Sequence, residues 1–168
     1  ETGEIASEFP QIVYYQQTNH GLSVARNIGA ELAAGEIVAY TDDDCIADIH
    51  WLRYLVCAMH DQQVEAIGGP NITPDHDGWI AKCITASPGN PSHVMLDDLH
   101  AEHVPGCNMA FQRDMLLGIG GFDPQFRAAG DDVDLCWRIL DAGLSIGYAP
   151  GAMVWHHRRA TIKAYAKQ

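Results

Sequence analysis

Three consecutive carboxylates, Asp42-Asp43-Asp44, stand directly after the apolar run Glu36–Thr41. Like charges this close repel, and a strand end holds them only where positive charge is near. In an extended segment Asp42 and Asp44 face one way and Asp43 the other. Two carboxylates on one side suit Mg²⁺ or Mn²⁺, which prefer oxygen ligands. A solvated acidic turn that also caps the next helix is the alternative, and spacing alone leaves both open.

A second constellation is Gly120-Gly121-Phe122-Asp123 followed by Gly130-Asp131-Asp132-Val133-Asp134-Leu135-Cys136-Trp137-Arg138. Here an acidic pair opens a helix whose inner face is expected to be Val133, Cys136, Trp137 and Leu140. A helix N-terminus favours negative charge, so Asp131 and Asp132 are expected to stay ionised at neutral pH. An ionised carboxylate beside a hydroxyl-bearing substrate can act as a general base. Capping and dipole compensation account for the same residues without any chemistry. The third constellation, His156-His157-Arg158-Arg159, follows the apolar strand Ala152–Trp155. Its two histidines point to opposite faces, so one of them can join carboxylates on a divalent ion, and Arg158 or Arg159 could meet a diphosphate. A basic strand end on the surface is the competing interpretation. His100, His103 and Cys107 have a spacing open to Zn²⁺. A fourth ligand is not evident and Pro105 intervenes, so a satisfied loop histidine pair is preferred.

The bulk properties narrow the choice. A chain of 168 residues fits one domain with a real core, and 47% hydrophobic with 19% charged residues is the balance of a folded protein. Ten Lys and Arg against 22 Asp and Glu give a net charge of −12, which repels phosphate backbones and disfavours nucleic acid as a partner. Five cysteines without a CxxC pair are taken as reduced thiols in a cytosolic setting. No apolar run approaches the ~20 residues of a membrane span. Asn71-Ile72-Thr73 matches a glycosylation sequon and is taken as chance.

The elements that must position these groups alternate in an α/β manner. A helix ends in Glu4–Phe9, stopped by Pro10, and Gln11–Gln17 has the pattern of a strand. Ser23–Ala34 is expected to be a helix ending at Gly35, and Glu36–Thr41 a buried strand. Asp48 can cap a helix with Leu52, Leu55, Val56 and Met59 as its apolar stripe. Val64–Gly69 is a further strand. Asn71–His103 has no clear period, and so long a stretch within a domain is usually functional. Val104–Phe111 is expected as a strand and Arg113–Ile119 as a short helix. Asp131–Ala142 is a helix ended by Gly143, and Ser145–Tyr148 and Ala152–His157 are closing strands.

Together these residues resemble the family 2 glycosyltransferases, inverting enzymes of the GT-A fold. Gly21-Leu22-Ser23-Val24-Ala25-Arg26-Asn27 and Gly35-Glu36-Ile37-Val38-Ala39 are similar to the segment leading into that family's DxD motif, where Asp42-Asp43-Asp44 falls, with Trp51-Leu52 at the usual distance. Pro105–Phe111, Gly120–Asp123 and Asp131–Leu135 resemble the acceptor-side block. The resemblance implies an α/β GT-A (nucleotide-diphospho-sugar transferase) fold, a mixed sheet flanked by helices, and a hexosyltransferase-type enzyme such as those of cell-envelope polysaccharide synthesis. It also implies Mg²⁺ or Mn²⁺ held by Asp42, Asp44 and His156, with Asp42, Asp43 and Arg26 on the nucleotide or diphosphate. Asp132 would be the base that deprotonates the acceptor hydroxyl. Asp131 would stand beside it, in place of the family's usual Glu.

The partners implied are a nucleotide-sugar donor and a saccharide, lipid-linked or other hydroxyl acceptor, with Asp97 and Asp98 facing the acceptor. The opening strands of that family, with their Pro-x-Tyr/Phe-Asn and Asp-Asp/Asn-Gly-Ser ends, are not matched. The expectation is therefore a single, N-terminally truncated GT-A domain over 1–168, with 1–47 on the donor and metal side and 48–160 on the acceptor side. Such a piece is expected to bind donor poorly, to self-associate through exposed sheet edges, and to come from a longer, membrane-associated protein. The rival classes are a metal-dependent phosphohydrolase or nucleotidyltransferase, and a non-catalytic fragment.

Overall fold

The computed structural model describes residues 2–86 and 93–157. The fold is organised by β7 (Met109–Gln112), whose Met109, Ala110 and Phe111 are all fully buried. It runs antiparallel to β1 (Ile37–Tyr40) on one side and to β3 (Ala66–Gly68) on the other; β8 (Ile146–Tyr148) then joins β3 in parallel. The result is a mixed sheet in the order β1-β7-β3-β8.

Successive side chains on a strand point to opposite faces, and this alternation builds two core layers. Met109, Phe111 and Ala66 pack with Leu116, Leu135, Cys136 and Ile139 on one face. Those partners come from α5 (Arg113–Gly118) and α6 (Asp131–Asp141). Ala110 and Ile67 pack on the other face against Trp51, Leu55 and Met59 of α3 (Trp51–Gln62). Helices therefore cover both faces of a mixed sheet, as the GT-A expectation required. α2 (Leu22–Leu32) turns Ser23, Arg26 and Ala30 inward, at i, i+3 and i+7.

A second, three-stranded sheet, β2 (Cys45–Ala47), β9 (Val154–His156) and β4 (Asn71–Ile72), lies beyond the C-terminal end of β1. β2 and β9 are antiparallel with Cys45 opposite His156. A hairpin of β5 (Val94–Met95) and β6 (Ala101–His103) packs on α6 and β8.

Several sequence expectations are corrected here. Gln11–Gln17 joins no strand: Val13 is 84% and Tyr15 57% exposed, so the β-forming residues have no partner to pair with. The first helix, α1 (Thr2–Ser7), has no buried residue. On α3 the inward stripe is Trp51, Leu55 and Met59, while Leu52 and Val56 are exposed. Asp48 does not supply a side-chain cap to that helix; its carboxylate accepts the His50 amide in a local turn instead. The inner face of α6 is Leu135, Cys136 and Ile139, with Trp137 turned out to donate its indole N–H to Glu102 (3.2 Å). The region expected as one structureless stretch holds β4, α4 (Trp79–Thr85), β5 and β6. Residues 104–108 form a turn before β7 rather than its first half.

That turn holds the most heavily bonded side chain of the interior. Asn108 is fully buried. Its Oδ1 accepts the Trp51 indole N–H at 2.8 Å, and its Nδ2 donates to the carbonyls of Pro70 (2.9 Å) and Ala152 (2.7 Å). One amide thus ties α3, the β3–β4 link and the approach to β9 to the turn. Gly68 and Gly69 make room for it, because a Cβ on Gly68 would press on the Asn108 carbonyl at 2.7 Å and one on Gly69 on its Nδ2 at 2.9 Å. Replacing Asn108 by Ala strands a buried indole N–H and two carbonyls. It is expected to cost about 3 kcal/mol in urea unfolding, and Trp51→Phe, which orphans one acceptor, about 1 kcal/mol.

Candidate active site

At the C-terminal end of β1 the chain turns through Thr41–Asp44, closed by the Cys45 amide donating to the Asp42 carbonyl (3.2 Å), and enters β2. Open α/β sheets bind ligands at such edges. β9 returns beside β2 and brings His156 to the same place: its Nε2 lies 3.1 Å from Asp44 Oδ1. Carboxylate and imidazole atoms of Asp42, Asp44 and His156 lie within 4.8 Å of one another, joined by the Cys45 thiol. Two carboxylates and an imidazole form a donor set that fits Mg²⁺ or Mn²⁺. The two histidines diverge as expected, and His157 hydrogen-bonds Asp77 through Nδ1 (3.0 Å). Asp43 is exposed and outside the cluster. Arg158 and Arg159 lie outside the described residues.

Arg26 connects this edge to the second constellation. Its side chain is 8% exposed, with Nη1 2.6 Å from Asp131 Oδ2 and Nη2 3.5 Å from Asp42 Oδ1. The guanidinium also lies over the Phe122 ring, 5.4 Å from its centroid. Gly106 lets it in: a Cβ there would stand 2.6 Å from Nη2 and 2.9 Å from Nη1. The Tyr40 hydroxyl donates to the Arg26 carbonyl (3.1 Å), and burial raises that phenol well above its usual range.

Asp131 and Asp132 are neighbours in sequence with opposite surroundings. The Asp131 side chain is 2% exposed. Burial pushes its carboxyl up, against the pull of Arg26 in the other direction, so the helix N-terminus that led to an expectation of simple ionisation is not the governing influence. Asp132 is half-buried, and its Oδ2 accepts the Gly106 amide (2.8 Å) while Oδ1 accepts the Val133 amide (2.9 Å). A carboxylate has about four acceptor positions, so two are left over.

The loop before α6 is fixed by polar contacts that sequence reasoning did not single out. Asn27 exchanges two hydrogen bonds with the Phe122 backbone, both 2.7 Å. Arg138 pairs with Asp134 (2.9 Å) and donates to the carbonyls of Ile119 and Gly121. Asn27 and Arg138 both lie inside the quoted motifs, so the motifs were the available signal. The zinc spacing of His100, His103 and Cys107 is not realised. The expected satisfied histidine pair is half realised: His100 bonds Asp97 (2.9 Å), whereas the buried His103 Nδ1 makes no hydrogen bond among the described residues and stands 3.6 Å from Glu102 Oε1; Cys107 belongs with Cys45 and His156. Backbone and His100 hydrogen bonds hold the Asp97 carboxyl down at about 2. An open groove of about 840 Å³ lies at the other end of β1, between Gly35–Ile37 and Gln112–Asp114, and contains none of these groups. None of the five cysteines is in a disulfide, although Cys57 and Cys83 are exposed rather than set in apolar surroundings.

A mixed sheet covered by helices, with paired carboxylates at a strand end, defines a GT-A-type glycosyltransferase fold. The family described as "Glycosyltransferase like family 2" matches residues 2–168, and the chain belongs to it. It is 28% identical over 157 residues to a pre-mycofactocin glycosyltransferase of Mycobacterium tuberculosis, covering 90% of this chain and 33% of that protein. It is 29% identical over 166 residues to a glucosyl-dolichyl phosphate glucuronosyltransferase of Haloferax volcanii, covering 86% and 50%. Among solved structures it resembles GalNAc-T7 with UDP, GalNAc and Mn²⁺, at a TM-score of 0.69 and 18% identity over 94% of this chain and 35% of that one. It also resembles the mannosyltransferase PcManGT from Pyrobaculum calidifontis in complex with GDP-Man and Mn²⁺, at a TM-score of 0.68 and 20% identity over 98% and 45%. The chain thus spans between a third and a half of the length of these relatives. No helix among the described residues is long and apolar enough to cross a membrane.

Removing one member of a buried ion pair costs far more than removing both. Arg26→Met is expected to lose about 3–5 kcal/mol in chemical denaturation, and Arg26→Met combined with Asp131→Leu to regain most of it. The single variant should also change its pH profile. Without Arg26 only burial acts strongly on Asp131, so the folded state holds a proton that the unfolded state releases. Stability is then highest in acid and falls as pH rises past the ordinary carboxylate range.

Proposed function

We propose that this chain carries the cation-binding and base-bearing part of an inverting glycosyltransferase, which moves a sugar from a nucleoside-diphosphate sugar to an acceptor hydroxyl. The observation that carries the reading is the continuity of the polar chain from Asp44 and His156, through Asp42 and Arg26, to Asp131 and the neighbouring Asp132. Asp42, Asp44 and His156 would hold Mg²⁺ or Mn²⁺, which when bound neutralises charge on the departing diphosphate. That both solved neighbours contain a nucleotide and Mn²⁺ supports this assignment.

Asp132 is assigned as the base. The Gly106 and Val133 amides orient its carboxylate, leaving acceptor capacity for the proton of the incoming hydroxyl. The acceptor oxygen bonds to the anomeric carbon as the bond to the diphosphate oxygen breaks, so one displacement inverts that carbon. Asp131 is a positioning residue in this scheme: buried and paired, it fixes Arg26, and Arg26 holds Asp42 on the diphosphate side. Asp43, exposed beside the cluster, is assigned to the nucleotide. A saccharide or lipid-linked acceptor would approach from the α6 and β6 side.

The reading is tested in the full-length protein by nucleoside diphosphate release with Mn²⁺ across a panel of donors. Asp132→Asn is expected to lower turnover about 10²–10⁴-fold with donor affinity little changed. Phosphate or pyrophosphate release without an acceptor would instead favour a hydrolase or nucleotidyltransferase, and an inert Asp132→Asn substitution a non-catalytic module. Separately, Mn²⁺ is expected to raise the melting temperature of the chain, and Asp44→Asn or His156→Ala to abolish that rise; a rise unchanged in both variants would refute the ligand assignment.

A further inference from the structure

Cys45 and Cys107 take no part in the scheme above, yet both thiols lie at the cation ligands. Cys45 opens β2 directly across the ladder from His156. Cys107, in the turn before β7, is buried beside the Cys45 thiol. Ligand atoms of Cys45, Cys107 and His156 lie within 4.8 Å of one another. Asp44 Oδ1 is 4.0 Å from Cys45 Sγ and 3.1 Å from His156 Nε2. An oxygen-rich set and a sulfur-rich set therefore share the His156 imidazole and the Cys45 thiol.

We propose that Cys45, Cys107 and His156, with Asp44 as the fourth ligand, form a binding site for zinc or a similarly soft divalent cation, and that this ion excludes Mg²⁺ or Mn²⁺ from the adjoining carboxylates. Two thiolates, an imidazole and a carboxylate are ligands suited to tetrahedral zinc, whereas Mg²⁺ and Mn²⁺ take oxygen-rich shells. Ligand atoms around such an ion stand about 3.5 Å apart, given bonds of about 2.0–2.3 Å. The ligand atoms of Cys45, Cys107 and His156 already lie within 4.8 Å of one another, and Asp44 reaches the set through its contacts with Cys45 and His156. Each thiol gives up its proton to solvent as its sulfur bonds the ion. The competition rests on the proposed roles of Asp42, Asp44 and His156; the zinc site itself does not.

Cobalt titrated into the reduced chain without oxygen is a direct probe, since thiolate ligands give a strong sulfur-to-metal absorption that oxygen and imidazole ligands do not. The absorption should appear, be displaced by zinc, and weaken clearly in Cys45→Ala and in Cys107→Ala, each of which leaves one thiolate at the site. Zinc affinity should fall at least about tenfold in each variant. Cys107 is buried and Cys45 half-buried, so Cys45→Ala is the variant that least disturbs the core. No sulfur-to-metal band in the folded wild type overturns the site, as does a band of undiminished strength in Cys45→Ala, which would point to the exposed Cys57 or Cys83. Cobalt bound without that band and lost in His76→Ala also overturns it, placing the ion at His76, Asp77 and His157 instead. Zinc should further abolish the Mn²⁺-dependent rise in melting temperature in the wild type, and at least about tenfold more zinc should be needed to do so in Cys45→Ala. A thiolate band alongside an Mn²⁺ effect that zinc does not disturb supports the zinc site and overturns the competition. If Mn²⁺ has no effect at all, the fault lies with the assignment of the carboxylates.

Discussion

A guanidinium buried between two carboxylates is stable only when each of its neighbours is held in place, and Arg26 is so held from every side. Asp131 meets it from the start of α6, Asp42 from the end of β1, and Phe122 from the loop between α5 and α6. Charge taken out of water must be matched locally or it drives the structure apart. The position of α2 against the sheet, the entry into α6 and the path of the Asp42–Asp44 turn are therefore coupled through one side chain. Asn27, a single residue further along α2, fixes the Phe122 backbone from the same helix. Two consecutive residues of α2 thus set the geometry of the acidic edge.

The same logic separates the two acidic pairs by environment. At the strand end, Asp42 and Asp44 stay accessible and share their space with His156. At the helix start, Asp131 is sealed against Arg26 while Asp132 remains half-open and held by two amides. Adjacent residues of one type can take different tasks because a helix N-terminus turns successive side chains in different directions. The sulfur ligands at the strand end extend the pattern, since they give that edge a second ligand chemistry beside the first.

Much of this was legible before any coordinates. The alternation of helices and strands, the stop at Gly143 and the acidic triplet at a strand end follow from local rules, and each is present. The position after an apolar strand leaves His156 and His157 both open, the family resemblance selects His156, and the ladder between β2 and β9 brings it to Asp44. The misplaced features share a cause. Gln11–Gln17 has β-forming residues but no neighbouring strand, and pairing is a property of two segments rather than one. The expected inner face of α6 includes Trp137 with Val133, Cys136 and Leu140, yet the inward arc is filled by Leu135, Cys136 and Ile139, and the Trp137 indole finds Glu102 at the surface. Cys107 was weighed with His100 and His103, its neighbours in sequence, and its partners proved to be Cys45 and His156. No local spacing reports such a contact. Arg26 was assigned to the diphosphate from family likeness, and its burial against Asp131 shows that it also belongs to the architecture.

Gly106 contributes to both ends of the polar chain at once. Its amide aims Asp132, and its lack of a side chain leaves the space that Arg26 fills. A single atom added there would push the guanidinium away and shift the donor to Asp132 in the same step. The two carboxylate clusters are therefore not independently adjustable at this position: whatever displaces Arg26 from the one also disturbs the amide that aims the other.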